Sequence, residues 1–423
     1  MAPLSRRTFL RTGLGTACSL AAHPLVTPVV YARAPGEARL VVIVLRGGLD
    51  GLAMVQPYGD PAFAGLRPSL AEAPGTGLTD LDGFFGLGSE FVDLVPLWQA
   101  GELSFVQAVS TPYRHKRSHF DGQDFLENGG ASPDGTLTQS RDGWLNRALG
   151  LIPGADARTA IAVGREHMIL LDGQNQAGSW SPTNSLDLAD DERQLLSKIY
   201  AGDDLFSAAL DEAMALGGLG VAAERRENAA TLARFTAEML TGEARIATFS
   251  LNGWDTHRNQ DGAMGRQARK LSEAILTLKS GLGPHWATTT VVAVTEFGRT
   301  VRENGTRGTD HGTGGAMLLA GGALTGGQVL GRWPGLGEGD LFEDRDLMAT
   351  EDLRRYCAWI GSHVQPRKDD PLQRALLEAE LGGQKPAAIA PEILGRHQIA
   401  VLEEIALAEP RPAPEHLAAG QRA

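Results

Sequence analysis

The run Leu40-Val41-Val42-Ile43-Val44-Leu45, followed at once by Arg46-Gly47-Gly48, constrains the fold more than any other feature of the chain. Six consecutive apolar residues, most of them β-branched, leave no polar face. Such a strand is buried on both sides, which is the place of a central strand in a parallel sheet covered by helices. The glycines then let the chain turn sharply where the strand ends. Further strands are expected over 103–109, 159–163, 168–171, 244–251, 288–294 and 316–320. Helical patterns lie between them, over 190–216, 222–241, 265–281 and 351–363, with Leu232, Phe235 and Met239 on one face of the second. This alternation predicts an α/β fold, a doubly wound, mainly parallel sheet flanked by helices. The Gly-, Pro- and Asp-rich loops 57–91 and 321–346 are expected to cover the strand ends, where sites form in such sheets.

The segment Ser5-Arg6-Arg7-Thr8-Phe9-Leu10-Arg11, ahead of a weakly apolar stretch, has the pattern of a twin-arginine signal. His23, Pro24 and Pro28 make that stretch a poor membrane span. Cleavage after Ala32 gives the expected organisation: a signal peptide over 1–32, an α/β domain over 33–382 with a helical cap-like region at 190–241, and an Ala-, Pro- and Glu-rich tail over 383–423. The expected location is the periplasm or another exported compartment, with no stable membrane insertion after cleavage. The formal net charge of -12 argues against nucleic acid and anionic membrane surfaces as partners. Loss of Arg6, Arg7 and Arg11 makes the mature chain more acidic still. Of the two cysteines, Cys18 falls in the signal, which leaves Cys357 without an intramolecular disulfide partner. The chain has no Cys cluster and no Gly-x-Gly-x-x-Gly after its first strand, so nothing points to redox chemistry.

Four clusters fall at or near expected strand ends. In Arg46-Gly47-Gly48-Leu49-Asp50, the aspartate is either a metal ligand or a turn residue beside left-handed glycines. In Tyr113-Arg114-His115-Lys116-Arg117-Ser118-His119-Phe120-Asp121, a cationic loop leads into a helix. Ser118 and Asp121 have capping-box spacing, which explains them structurally. A hydroxyl at a positive helix terminus beside Arg114, Arg117 and His119 also suits an anion, or nucleophilic attack on one. In Asn252-Gly253-Trp254-Asp255-Thr256-His257, Asp255 and His257 either reach one divalent metal or support a loop as a hydrogen-bonded pair. In the fourth cluster Glu296 ends an apolar strand and either serves a ligand or pairs with Arg299. Asp310 and His311 follow in a Gly-rich loop that lets backbone approach a ligand closely.

The stretches VVIVLRGGLDGL, RSHFDGQDFLENG, NGWDTH, TEFGRT and TDHGTGGAMLLAGG resemble a bacterial family of exported proteins, domain-of-unknown-function family 1501, across about residues 40–365. That family in turn resembles the alkaline phosphatase and sulfatase superfamily. The resemblance implies an alkaline-phosphatase-like sheet carrying metal ions and a nucleophile at a helix N-terminus. On it, Ser118 takes the nucleophile's place, Asp255, His257 and His311 the first metal, and Glu296 the second. Two positions depart from the pattern. Arg46 stands where an Asp directly follows the first strand, with Asp50 four residues on. Glu296-Phe297 stands where an Asp-His pair is usual, so a second-site His is missing. One ion only, or a fixed Arg46 charge in place of the other, would follow.

The resulting expectation is an exported, metal-assisted hydrolase of phosphate or sulfate esters with a partly degenerate site. Zn or Mn is the expected ion and an anionic small-molecule or glycan ester the substrate. Ser118 is expected to attack, with Arg114 or Arg117 stabilising charge. The competing expectation is a non-catalytic protein of the cell envelope that binds an anion or a partner on the same degenerate fold.

Overall fold

The structure, a computed structural model, describes residues 37–114, 116–129, 141–183, 195–199, 227–354 and 356–357. The signal segment, the C-terminal tail and most of the cap-like region lie outside them; residues 195–199 are helical. Nine strands form the main sheet. They are β1 (Arg39–Arg46), β2 (Leu103–Ser110), β3 (Ala160–Val163), β4 (Gly178–Trp180), β5 (Ile246–Asn252), β6 (Thr289–Val294), β7 (Gly315–Ala320), β8 (Val329–Leu330) and β9 (Glu351–Asp352). Their order is β8-β2-β7-β6-β1-β5-β3-β4, with β9 also pairing β2. β7 runs antiparallel to β2 and β6, and the other pairings described in this sheet are parallel.

The apolar run is the centre, as expected. β1 pairs with β5 on one side and β6 on the other. Its alternate residues enter two different cores. Val41, Ile43 and Leu45 pack in one with Leu232, Phe235, Leu271 and Ile275. Leu40, Val42 and Val44 pack in the other with Leu126, Trp144 and Leu145. Each such buried aliphatic side chain contributes about 1.5–3 kcal/mol. Helices therefore cover both faces. The first face carries α4 (Ala229–Thr241) and α5 (Gln260–Leu282); the second carries α2 (His119–Asn128) and α3 (Trp144–Leu149). A short helix, α1 (Gly51–Met54), follows β1.

The helices start where local chemistry allows. The Asn228 side chain accepts from the Thr231 N–H, so α4 begins at Ala229; residues 222–226 of the expected helix lie outside the described residues. α5 buries Met264, Ala268, Leu271, Ile275, Leu278 and Leu282, the three-and-four spacing of one helix face. Two expected elements differ. Residues 168–171 are not a strand, because Ile169–Leu171 close a single 3-10 turn. The helix expected from residue 351 opens instead as β9, since Glu351 and Asp352 complete the edge beside Val109 and Ser110. The 57–91 loop holds its own small antiparallel sheet with Val55–Gln56, made by Thr79–Asp80 and Gly86–Leu87.

Candidate metal centre

β1, β2, β5 and β6 all finish at the same edge of the sheet, and the reversed β7 starts there. That edge gathers the loops beginning at Gly47, Thr111, Gly253 and Thr295, and the one ending at Gly314. Two glycines set the approach of the first and third loops. Gly47 has φ +119°, and a Cβ on it would lie 2.6 Å from the Asp255 backbone nitrogen. Gly253 has φ +102° and leads to Trp254, which is fully buried beneath Asp255. Only glycine permits both the dihedral angle and the close pass at Gly47.

Three histidines converge on the Asp255 carboxylate. His257 Nε2 lies 3.0 Å and His311 Nε2 3.2 Å from Oδ1, and His119 Nε2 lies 3.6 Å from Oδ2. The His257 and His311 Nε2 atoms are 3.0 Å apart. Donor atoms of His119, Asp255 and His311 all fall within 4.8 Å of one another. The facing Nε2 atoms matter because each ring's other nitrogen is already held by an oxygen. His119 Nδ1 lies 2.8 Å from Glu296 Oε1, His257 Nδ1 3.1 Å from Asp310 Oδ1, and His311 Nδ1 2.9 Å from the Arg117 carbonyl oxygen. Each of these oxygens can only accept, so each Nδ1 carries a proton directed outward, and the Nε2 atoms of His119 and His311 are the ring nitrogens grouped with Asp255.

Outer partners fix this set. Glu296 is fully buried and accepts from the Gly47 N–H at 2.8 Å and the Thr295 hydroxyl at 2.9 Å besides His119. Burial pushes the Glu296 carboxyl up, but the His119 and backbone hydrogen bonds outweigh it and hold it below the usual carboxylate range. The Glu296 hydrogen bond raises the His119 pKa against burial. Burial also pulls His311 down, with help from the Arg299 and His119 charges. Asp255 feels burial pushing it up, but the Arg299 hydrogen bond and charge dominate and lower it. The loop before Asp310 braces His257, whose carbonyl accepts from Asn304 Nδ2 at 3.0 Å and Thr306 Oγ1 at 2.8 Å.

Asp255, His257 and His311 thus meet, as their sequence pattern suggests. His119, expected beside an anion, stands with them. Asp50 does not. Its two oxygens take a buried bidentate ion pair from Arg67 at 2.7 and 3.1 Å, a Gln260 amide and the Leu52 N–H, which makes it the cap of α1. Glu296 is likewise no member of the converging set, since its contacts run to the far nitrogen of His119 and to other donors. Arg299 pairs with Asp255 at 2.6 Å rather than with Glu296, and also holds the carbonyls of Gly47, Gly48, Trp254 and Thr309.

The expected anion-facing cations are engaged elsewhere. Arg117 pairs with Glu343 at 2.5 Å and Asp346 at 2.8 Å. Arg46 pairs with Glu127 at 2.8 Å and Glu166 at 3.1 Å, and donates to Gln123 Oε1 at 2.9 Å. Arg114 is half-buried, with no ion pair among the described residues. Ser118 is the residue before α2, but its side chain makes no capping hydrogen bond. Asp121 is the acceptor for Tyr113 Oη at 3.5 Å, and Tyr113 Oη accepts from the Ser118 N–H at 2.9 Å. The capping box is absent, and the serine hydroxyl is left out of the helix terminus. The roles of Asp310, Arg299 and Asp346 escaped the sequence reading. Only the adjacency of Asp310 to His311 signalled the first.

The family model described as "Protein of unknown function (DUF1501)" matches residues 100–359. The chain belongs to that family. Structural likenesses run to the alkaline phosphatase superfamily. A protein of that superfamily from Vibrio parahaemolyticus is 12% identical with a TM-score of 0.35, covering 71% of this chain and 64% of its own length. The C-terminal periplasmic domain of EptC from Escherichia coli, in complex with Zn, is 11% identical with a TM-score of 0.34, covering 68% and 74%. The lipoteichoic acid synthase LtaP of Listeria monocytogenes is 11% identical with a TM-score of 0.35, covering 70% and 68%. The chain therefore spans less than two thirds of the Vibrio protein. No curated protein matches the chain. Among the described residues, no helix is long and apolar enough to cross a membrane.

Proposed function

We propose that the chain is an exported, metal-assisted hydrolase of phosphate or sulfate esters, working with one divalent ion. The carrying observation is the convergence of three imidazole Nε2 atoms on one carboxylate while every Nδ1 is held from outside. The buried His119 Nε2 has no hydrogen-bond partner, which is costly unless something else meets it. A tetrahedral ion with bonds of about 2.0–2.2 Å spaces its donors roughly 3.3–3.6 Å apart. The observed separations of 3.0, 3.2 and 3.6 Å lie within about 0.3 Å of that spacing. Nitrogen and carboxylate donors together suit Zn or Mn.

Asp255, His257, His311 and His119 would hold the ion. When bound, it would supply Lewis acidity and favour the ionised form of a nearby hydroxyl. Ser118 Oγ, unused as a cap, is the nucleophile of this reading. It stands at the N-terminus of the ten-residue α2, whose free N–H groups suit an anionic ester. Glu296 keeps the Nδ1 proton of His119 in place, and Asp310 does the same for His257. The twin-arginine pattern at residues 5–11 supports an exported location for this activity, on an anionic small-molecule or glycan ester.

A second reading, a non-catalytic binding protein of the cell envelope, is favoured by one observation. Arg46 and Arg117, the cations that could meet a transferring group, are already paired with carboxylates. Elemental analysis of the exported protein beside Asp255→Ala and His311→Ala variants tests the centre. One equivalent of metal, lost in both variants, together with ester turnover above a Ser118→Ala control supports the hydrolase. Metal without turnover selects the binding protein. Folded protein that takes up no metal removes the centre.

A further inference from the structure

Arg117 is one of six described non-glycine residues with positive φ, at +52°. L-residues seldom hold that conformation, and where one does its surroundings impose it. Here the side chain is held by two carboxylates, of which one is buried. Asp346 is fully buried, and its Oδ2 accepts from Arg117 Nε at 2.8 Å. Two more of the six, Glu343 at +52° and Asp344 at +55°, flank the same ion pair. The outcome of this local conformation is the direction of one carbonyl, the Arg117 oxygen that lies 2.9 Å from His311 Nδ1.

We propose that Asp346 and Arg117 are positioning residues that fix the tautomer and ring orientation of His311, acting through that backbone carbonyl. A carbonyl can only accept, so the contact requires a proton on Nδ1, and in the neutral ring Nε2 is then the nitrogen left to meet an ion beside Asp255. The same carboxylate reaches His311 by two other routes. Asp346 Oδ2 accepts from the Thr313 hydroxyl at 2.8 Å, two residues beyond His311. Asp346 Oδ1 accepts from Arg345 Nε at 3.0 Å, and Arg345 Nη2 donates to the His311 carbonyl at 2.6 Å. Ring, backbone and following loop are thus tied to one buried acid. The guanidinium expected to meet substrate is a strut instead. The consequence for metal affinity rests on the metal-centre reading; the consequence for the tautomer does not.

The test uses the full chain as Asp346→Ala, Arg117→Ala and, as control, Glu343→Gln, which removes the charge of the exposed arm. The first readout is the imidazole nitrogen signature of His311 by long-range proton–nitrogen correlation in metal-stripped protein, assigned with His311→Ala. The second is affinity for Zn2+ alone against a chromophoric chelator. Wild type and Glu343→Gln are expected to show a single Nδ1–H form and affinities within about twofold of each other. Asp346→Ala and Arg117→Ala are expected to show mixed tautomers and Zn2+ binding weaker by roughly 10–100-fold. A folded Asp346→Ala or Arg117→Ala that keeps the single Nδ1–H signal overturns the proposal. Should Asp346→Ala fail to fold, Arg117→Ala leaves Asp346 its Thr313 and Arg345 contacts and decides alone. If wild type takes up no Zn2+, the metal-centre reading fails while the tautomer readout still judges this one.

Discussion

Arg299 Nη2 lies 2.6 Å from Asp255 Oδ1, and the pair is lopsided, with Arg299 0% exposed and the Asp255 side chain 45% exposed. The cation is therefore set beneath the carboxylate as a foundation. Its remaining N–H groups hold carbonyls from three loops, at Gly47 and Gly48, at Trp254, and at Thr309. Arg299→Met is expected to leave those carbonyls unpaired and to lower unfolding free energy by about 3–5 kcal/mol, by analogy with breaking a buried pair. Arg299→Lys should recover little, because an ammonium cannot span the fork. Urea denaturation of both variants gives the values, and a loss below about 1 kcal/mol in each would refute this role.

Proton competition at the centre runs through His119. Its pKa is raised, first by the Glu296 hydrogen bond, so the folded chain holds that proton to higher pH than a free imidazole. An incoming ion must displace it. Zn2+ affinity is expected to weaken as pH falls, with the weakening already under way above the ordinary value of about 6.5. In metal-stripped protein the sign is opposite for stability. The contribution is fully present below the unfolded pKa and is lost as pH rises through the folded one. Denaturation of wild type and His119→Gln between about pH 5.5 and 8.5 should show the wild-type advantage shrinking upward. An advantage that grows with pH would contradict it.

Ser118→Ala separates chemistry from capping. A serine that caps a helix costs about 1 kcal/mol to replace. Here the side chain makes no such bond, so the expected stability change is within about 0.5 kcal/mol. Ester turnover, if the hydrolase reading holds, falls to the background of the same preparation. A stability loss near 1 kcal/mol would mean that the hydroxyl caps the helix after all.

Asp50→Ala makes the reverse separation. Asp50 and Arg67 are 1% and 0% exposed, and removing the acid strands a buried guanidinium. An unfolding free-energy loss of about 3–5 kcal/mol is expected. Zn2+ stoichiometry, measured on the folded fraction at low temperature, should be unchanged. A lost equivalent would return Asp50 to the list of ligands.

The sheet was legible because β1 carries an unbroken apolar run, and two-sided burial needs nothing else to be read. The meeting of Asp255, His257 and His311 was legible for a related reason. Asp255, His257 and His311 sit directly beside apolar strands, so their place at the sheet edge follows from the strands. What sequence could not show is competition among neighbours. Asp50 and Glu296 have the same chemistry as Asp255, and only three-dimensional placement gives one of them to Arg67 and the other to His119. The partners of Arg117 and Arg46, Asp346 and Glu127, lie far along the chain, so sequence shows neither engagement. The segment 168–171 is four apolar residues, too few to distinguish a strand from the turn that Ile169–Leu171 form.

The reversal of β7 has a consequence for the order of assembly. β6 and β7 are close along the chain, so the arm carrying Glu296, Arg299 and His311 can close by short-range contacts. The arms carrying His119 and Asp255 cannot. His119 reaches the edge only when β2 pairs with β7, joining Leu103 and Ala320, and Asp255 only when β1 pairs with β5, joining residues such as Leu40 and Ile246; both are loop closures of high entropic cost that slow folding. A chain that has folded only half-way thus offers the ion one imidazole and no nest. Zn2+ added at intervals during refolding should be captured in step with the slowest phase of folding. The centre would then serve as a timer that reads completion of the sheet.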